Sequence, residues 1–230
     1  FAVPDGLFVR SPLLWVALVG AAIAGRSLGV ASAAGLLALA LAYQFRVSEK
    51  ARQQAEYLAR HDPLSGLLNR RAFHEQVEPS WSIALRSGRP ISAIMLDIDH
   101  FKEVNDRYGH DVGDQVLVEI AQLLLENSRS GDLISRWGGE EFLLVLPETG
   151  LQQAATLAER IRQGIEARRP ITIHGQISIS ASLGVAERSQ EATLEALIAL
   201  ADINLYQAKR AGRNRVFQMP KAETLGLDPA

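Results

Sequence analysis

Eight residues, Ile91 to Ile98 (ISAIMLDI), leave the chain little choice of local structure. The run is apolar along nearly its whole length and too short for a typical helix, so it reads as a buried strand. Its apolar character ends abruptly at Asp97 and Asp99. Carboxylates two residues apart on a strand project to the same side, so the end of this strand is a candidate site for binding a cation.

Other segments supply such a strand with neighbours. Leu133 to Trp137 and Phe142 to Pro147 read as strands around a Gly-Gly turn, and Gln176 to Ala186 as a strand in which Ile177, Ile179 and Ala181 alternate with polar residues. Val112 to Ser128, Leu151 to Ala167 and Thr193 to Ala211 carry helical patterns. The expected fold over 62–218 is therefore one α/β domain, a central sheet flanked by helices. The tail from Met219 to Ala230 is polar, holds two prolines and is expected to be loose.

The N-terminal part is of a different kind. From Ser11 to Phe45 the only charge is Arg26. Residues 27–45 alone approach the length of about 20 that spans a bilayer core, and 11–25 is a shorter second candidate. Residues 1–45 are therefore expected to be a membrane segment of one or two transmembrane helices, at the end of a larger sensor. Arg46, Lys50 and Arg52 follow at once, which by the positive-inside rule puts the remainder in the cytoplasm, on the inner membrane. Residues 46–61 read as a connecting helix, with Val47, Ala51, Ala55 and Leu58 as one apolar stripe suited to pairing with its twin. The helix is expected to stop at His61-Asp62-Pro63, because a residue before proline avoids the α region.

The 230 residues carry a net charge of −2 and no cysteine. The charge argues against a general nucleic-acid binder, and the missing thiols exclude disulfides and thiolate metal sites. Glu140 and Glu141 form a second acidic pair, on a turn whose glycines permit unusual backbone angles. Two acidic clusters at strand ends are the hard-oxygen donors expected for Mg²⁺, a metal that bridges to substrate phosphates. Asp202, Tyr206, Lys209 and Arg213 are spaced four, three and four apart, as if on one helical face. Lys209 and Arg213 are candidates to grip phosphates, with Lys102 a further one.

DPLSGLLNRRAF at Asp62, DIDHFKEVNDRYGHDVGD at Asp97, RWGGEEF at Arg136, SISASLGVA at Ser178 and ADINLYQAKRAGRNRV at Ala201 together resemble the GGDEF family of diguanylate cyclases, in its GGEEF variant. The resemblance implies a palm-like nucleotidyl-cyclase fold and the condensation of two GTP molecules into cyclic di-GMP and pyrophosphate by a homodimer. It also implies a Mg²⁺ or Mn²⁺ site at Asp97, the Ile98 carbonyl and Glu140. Glu140 would also be the base, with Glu141 in support. Substrate contacts are implied at Phe101, Lys102, Asn105, His110, Asp114, Gly138, Gly139, Lys209 and Arg213. RSGD, Arg129 to Asp132, matches the family's inhibitory RxxD pattern, and with Arg160 it would bind the product. A carboxylate and an amide at Asp114 and Asn105 suit guanine, whose N1–H and 2-amino group donate together. The competing reading is a catalytically silent member that binds cyclic di-GMP and signals by contact.

Overall fold

The computed structural model describes residues 30–168, 171–172, 175–189 and 193–219. The chain divides into two compact units, Phe1–Tyr57 and Leu58–Ala230.

One helix, α1 (Val30–Arg60), runs for 31 residues, about 46 Å at 1.5 Å per residue. The spans expected over 11–25 and up to residue 29 lie outside the described residues. From Val30 onward the expected span and the connecting helix are one continuous element. No helix among the described residues is long and apolar enough to cross a membrane. Arg52 pairs with Glu49 and Glu56 one turn away on either side, and Val47 and Leu58 of the apolar stripe are exposed. The Ala59 carbonyl near the end of α1 accepts from the Asn69 amide and the Arg71 guanidinium, at 2.9 and 2.7 Å. Those side chains replace the backbone partners that a helix end lacks.

The second unit follows in the order β1 (Leu68–Asn69), α2 (Arg70–Ser87), β2 (Ile91–Ile98), α3 (Phe101–Tyr108), α4 (His110–Asn127), β3 (Leu133–Arg136), β4 (Glu141–Pro147), α5 (Leu151–Arg168), β5 (Ile171–Thr172), β6 (Gly175–Gln176), β7 (Ala181–Glu187), α6 (Leu194–Arg210) and β8 (Val216–Gln218). Six strands form a sheet in the order β1-β3-β4-β2-β7-β8, and β5 pairs with β6 in a separate hairpin. β2 is antiparallel to both neighbours, while the two edge strands run parallel to theirs.

The uniform apolarity of β2 has a direct cause: both faces of the sheet are covered. Ile91, Ala93 and Met95 pack with Phe73, Val77 and Trp81 of α2 and with Leu197, Ala201 and Leu205 of α6. Ile94, Leu96 and Ile98 pack on the other side with α3, α4 and α5. α2 was not foreseen, although Phe73, Val77, Trp81 and Ala84 follow helical spacing; Pro79 lies inside it. Asn69 caps its start by accepting from the Ala72 N–H at 2.9 Å. α6 lies so close to β7 that a Cβ at Gly184 would stand 2.1 Å from the Ala201 carbonyl oxygen. The single strand expected over Gln176–Ala186 is divided. Ile177 and Ile179 keep the alternation and are buried, but 177–180 leave the hairpin partner before β7 joins the main sheet.

Candidate active site

The register of the sheet brings the acidic residues together. Asp97, at the end of β2, stands opposite Glu141 at the start of β4 and opposite Ser182 on β7. Only 5 % of Asp97 is exposed, and its Oδ2 receives the Lys209 ammonium from α6 at 2.8 Å. Burial pushes the Asp97 carboxyl above its ordinary pKa, and the charge of Asp99 adds to that, against the opposing pull of Lys209 and Arg213. Burial and the charge of Asp97 likewise raise Glu140 and Glu141; the two glutamates repel one another at Glu140, and Asp202 adds to the repulsion at Glu141. These are carboxylates gathered against their own charge, with Lys209 as the shared counter-cation.

The turn between β3 and β4 is built from the backbone. Trp137 and Gly138 N–H groups donate to the Glu141 carbonyl at 2.8 and 3.3 Å, and Ile98 N–H donates to the Glu140 carbonyl at 3.4 Å. Unusual backbone angles are not the reason for its glycines, contrary to expectation: neither Gly138 nor Gly139 has positive φ. At Gly138 alone the neighbouring side chain is close. A Cβ at Gly138 would lie 2.5 Å from Glu141 Oε2, and one at Gly139 would meet nothing within 4 Å. The Arg136 guanidinium holds the turn from below, donating to the Gly139 carbonyl at 2.7 Å and to Asp62 Oδ1 at 3.1 Å. Sequence reasoning missed this pair, because 74 residues separate its members.

Asp99 was expected to join Asp97 in holding a cation. In the structure it is engaged by protein donors: its Oδ1 accepts from the Ser182 hydroxyl at 2.7 Å, and its Oδ2 from the Ser180 hydroxyl at 2.8 Å and the Asn214 N–H at 3.0 Å. Both oxygens are committed to protein donors.

Asn105 and Asp114 lie on α3 and α4, which meet at Gly109 (φ 89°). The helices approach closely enough that a Cβ at Gly113 would stand 1.9 Å from Asn105 Oδ1. Phe101 is buried beneath this pair, whereas Lys102, His110 and Asp114 are exposed. On the other side, α6 carries Asp202, Tyr206 and Lys209, but it ends at Arg210. Arg213 therefore lies beyond the helix on which its spacing had placed it, in a turn with φ 61°.

Arg129 and Asp132 close the turn between α4 and β3: Asp132 Oδ2 accepts from the Arg129 N–H at 2.8 Å, and the Arg129 guanidinium donates to the Thr149 hydroxyl at 3.1 Å. They line a cavity of about 350 Å³ with His61, Leu67, Leu68 and Ser128. Arg160 of α5 donates from Nε to Asn127 Oδ1 and from a guanidinium nitrogen to the Asn127 carbonyl, both at 2.9 Å. It thus caps the end of α4.

Residues 59–215 match the family model described as diguanylate cyclase, GGDEF domain. The chain belongs to the GGDEF family. The diguanylate cyclase DgcM of Escherichia coli is 40% identical over 180 residues, covering 78% of this chain and 43% of that protein. The response regulator PleD of Caulobacter vibrioides is 44% identical over 162 residues, covering 69% of this chain and 36% of that protein. The chain thus spans less than half the length of these curated relatives. Among solved structures, the coiled coil and GGDEF domain of DgcB from Caulobacter crescentus, in complex with c-di-GMP, is 32% identical with a TM-score of 0.73, covering 82% of this chain and 100% of that one. Diguanylate cyclase SiaD of Pseudomonas aeruginosa, in complex with its activator SiaC, is 34% identical with a TM-score of 0.67, covering 94% of each chain. The GGEEF turn of this GGDEF domain is thus the one on which Glu140 and Glu141 face Asp97.

Proposed function

We propose that the chain is a diguanylate cyclase that joins two GTP molecules into cyclic di-GMP and releases two pyrophosphates. The observation that carries this reading is the placing of Asp97, Glu140 and Glu141 at adjoining strand ends, where Asp97 acts electrostatically on both glutamates and Lys209 pairs with Asp97. Carboxylates crowded in this way suit a site that receives a divalent cation and a polyphosphate. Among the described residues no group of three or more His, Asp or Glu side chains is arranged to hold a metal ion by itself, these three carboxylates included. A donor set of two carboxylates completed by a carbonyl and by substrate oxygens fits a Mg²⁺ or Mn²⁺ ion instead. Asp97, Glu140 and the Ile98 carbonyl would hold it. When bound, it would supply positive charge against the α-phosphate and the departing pyrophosphate.

The chain's own residues do the rest. Asn105 and Asp114 take the guanine between α3 and α4, with Phe101 and His110 beside them. Lys209, Arg213 and Lys102 take the phosphates, and Gly138 and Gly139 leave the substrate room against the turn. The 3′-oxygen of one GTP forms a bond to the α-phosphorus of the other while the bond to pyrophosphate breaks. Glu140 accepts the 3′-proton, with Glu141 in support. The second bond forms in the same way with the roles exchanged, so two domains must face one another. The stripe on α1 is the surface we assign to that pairing, supported by the likeness to DgcB, whose structure includes a coiled coil. Arg129, Asp132 and Arg160 are the proposed product site, supported by the cavity beside the first two. The uncharged run before Phe45 and the basic residues after it support a membrane segment with the catalytic domain on the cytoplasmic side.

Incubation of the purified chain with GTP and Mg²⁺, with products resolved by chromatography, tests the reading. Cyclic di-GMP and pyrophosphate are the expected products. Binding of cyclic di-GMP without turnover of GTP would support the silent member instead. Added cyclic di-GMP should inhibit the wild type and not Arg129→Ala.

A further inference from the structure

Arg213 and Asn214 are consecutive residues in the left-handed region, at φ 61° and 46°, and neither is glycine. Asparagine tolerates that conformation, whereas arginine rarely adopts it. Such a pair persists only where its surroundings over-determine it, and Asn214 is held through three separate groups. Its N–H donates to Asp99 Oδ2 at 3.0 Å, its Oδ1 accepts from Arg162 of α5 at 2.7 Å, and its Nδ2 donates to Glu166 Oε1 at 2.9 Å. The clamping groups are themselves fixed. Arg162 is paired with Glu159 and Glu166 at 2.8 Å each, and Asp99 is bound by the hydroxyls of Ser180 and Ser182.

Arg213 itself has a less restrained side chain. Its backbone is tied, the N–H to the Ala208 carbonyl at 3.1 Å and the carbonyl to Arg215 Nε at 3.0 Å. Its guanidinium acts electrostatically on Asp97 and is exposed. Since α6 ends at Arg210, the direction of the Arg213 side chain is set by the turn and not by the helix. Within the turn, Asn214 connects Asp99, just beyond β2, to Arg162 and Glu166 of α5.

We propose that Asn214, clamped by Asp99, Arg162 and Glu166, is a positioning residue that fixes the left-handed turn and so aims Arg213 at the phosphates of the nucleotide substrate. This rests on the cyclase reading for the identity of the substrate. Asn214 acts only through Arg213, whose effect on Asp97 is the smallest of those acting there, so loss of Asn214 should weaken nucleotide binding far more than it changes the chemical step.

The test uses the full chain and measures both equilibrium binding of a non-hydrolysable GTP analogue and steady-state turnover of GTP. Asn214→Ala should weaken analogue binding and raise KM by about tenfold, the loss of about one charge-assisted contact, while kcat stays within about twofold. Arg213→Ala should show the same pattern, and the Arg213→Ala/Asn214→Ala double variant should be no worse than Arg213→Ala alone. Asn214→Gly adopts the left-handed angle freely and keeps the N–H to Asp99 but lacks the side-chain bonds to Arg162 and Glu166, so it should bind as poorly as Asn214→Ala, and it serves where the alanine variant folds badly. Losses that add in the double variant, wild-type binding by Asn214→Gly, or a fall in kcat at unchanged KM would each overturn the proposal. No product from the wild type would sink the cyclase reading, and analogue binding would still decide the role of Asn214.

Discussion

Asp97 and Asp99 stand two residues apart, both 5 % exposed, and the regions they serve differ in kind. At the end of β2, Asp97 meets Lys209, more distantly Arg213, and neighbouring carboxylates, and burial and like charge push the group above its ordinary pKa. In the loop just beyond, Asp99 has a donor for each oxygen and ties Ser180, Ser182 and Asn214 together. One region keeps charge poorly compensated; the other compensates it fully. A buried carboxylate with all its hydrogen bonds made within the protein contributes to stability, because removing it strands its partners. One that faces its own kind costs stability and is available for a ligand. Burial alone does not separate the two, and residue type does not either.

The comparison can be broken most sharply at the poorly compensated end. Glu140→Gln keeps the size of the side chain and removes its charge and proton affinity, so turnover of GTP should fall by about a thousandfold while the melting temperature holds or rises. Product formation near the wild-type rate in a normally folded variant would show that the acidic end is not where the chemistry occurs.

Exchanging the two aspartates sharpens the contrast. Asp99→Ala leaves two hydroxyls and the Asn214 N–H without their acceptor and should cost about 3 kcal/mol in denaturant unfolding. Asp97→Asn removes the partner of Lys209 but also a buried charge that its surroundings disfavour on balance, so it should cost less stability than Asp99→Ala while abolishing turnover. Equal stability losses in the two variants would erase the distinction drawn between them.

The smallest effect lies at Asp62, which resembles Asp99 in having its donors supplied. Burial there favours the neutral form, but the Ser65 N–H and hydroxyl and the Arg136 guanidinium outweigh it, and the net effect is a lowered carboxyl pKa. A lowered pKa contributes stability that is present above the unfolded carboxylate value of about 3.9 and is lost as pH falls through the folded value. Asp62→Asn should therefore be less stable than wild type by about 1–2 kcal/mol at neutral pH, and the gap should close as pH falls through the lowered folded value. A gap that does not vary with pH would mean that the charge of Asp62 plays no part in holding Arg136 and the Gly139 carbonyl.

Much of the fold was legible because it follows from local patterns. The apolar run of β2 required cover on both faces, and the 3.6-residue spacing of α4, α5 and α6 marked the helices that lie on them. The abrupt appearance of Asp97 at a strand end, and of Glu140 and Glu141 after two glycines, marked the site, since such carboxylates have no local reason to be there. α3 and the edge strands β1 and β8 are too short for periodicity to register, at eight, two and three residues. What only the tertiary structure decided is which group answers each charge. Asp99 looks like Asp97 in the sequence, but its donors come from residues 81, 83 and 115 positions away. Arg136 finds Asp62 across 74 residues, and Arg213 falls outside a helix whose spacing it shares. A side chain's neighbours along the chain dictate backbone conformation through sterics and local hydrogen bonds; its partners in the core are set by sheet register and helix packing, which no short stretch of sequence contains.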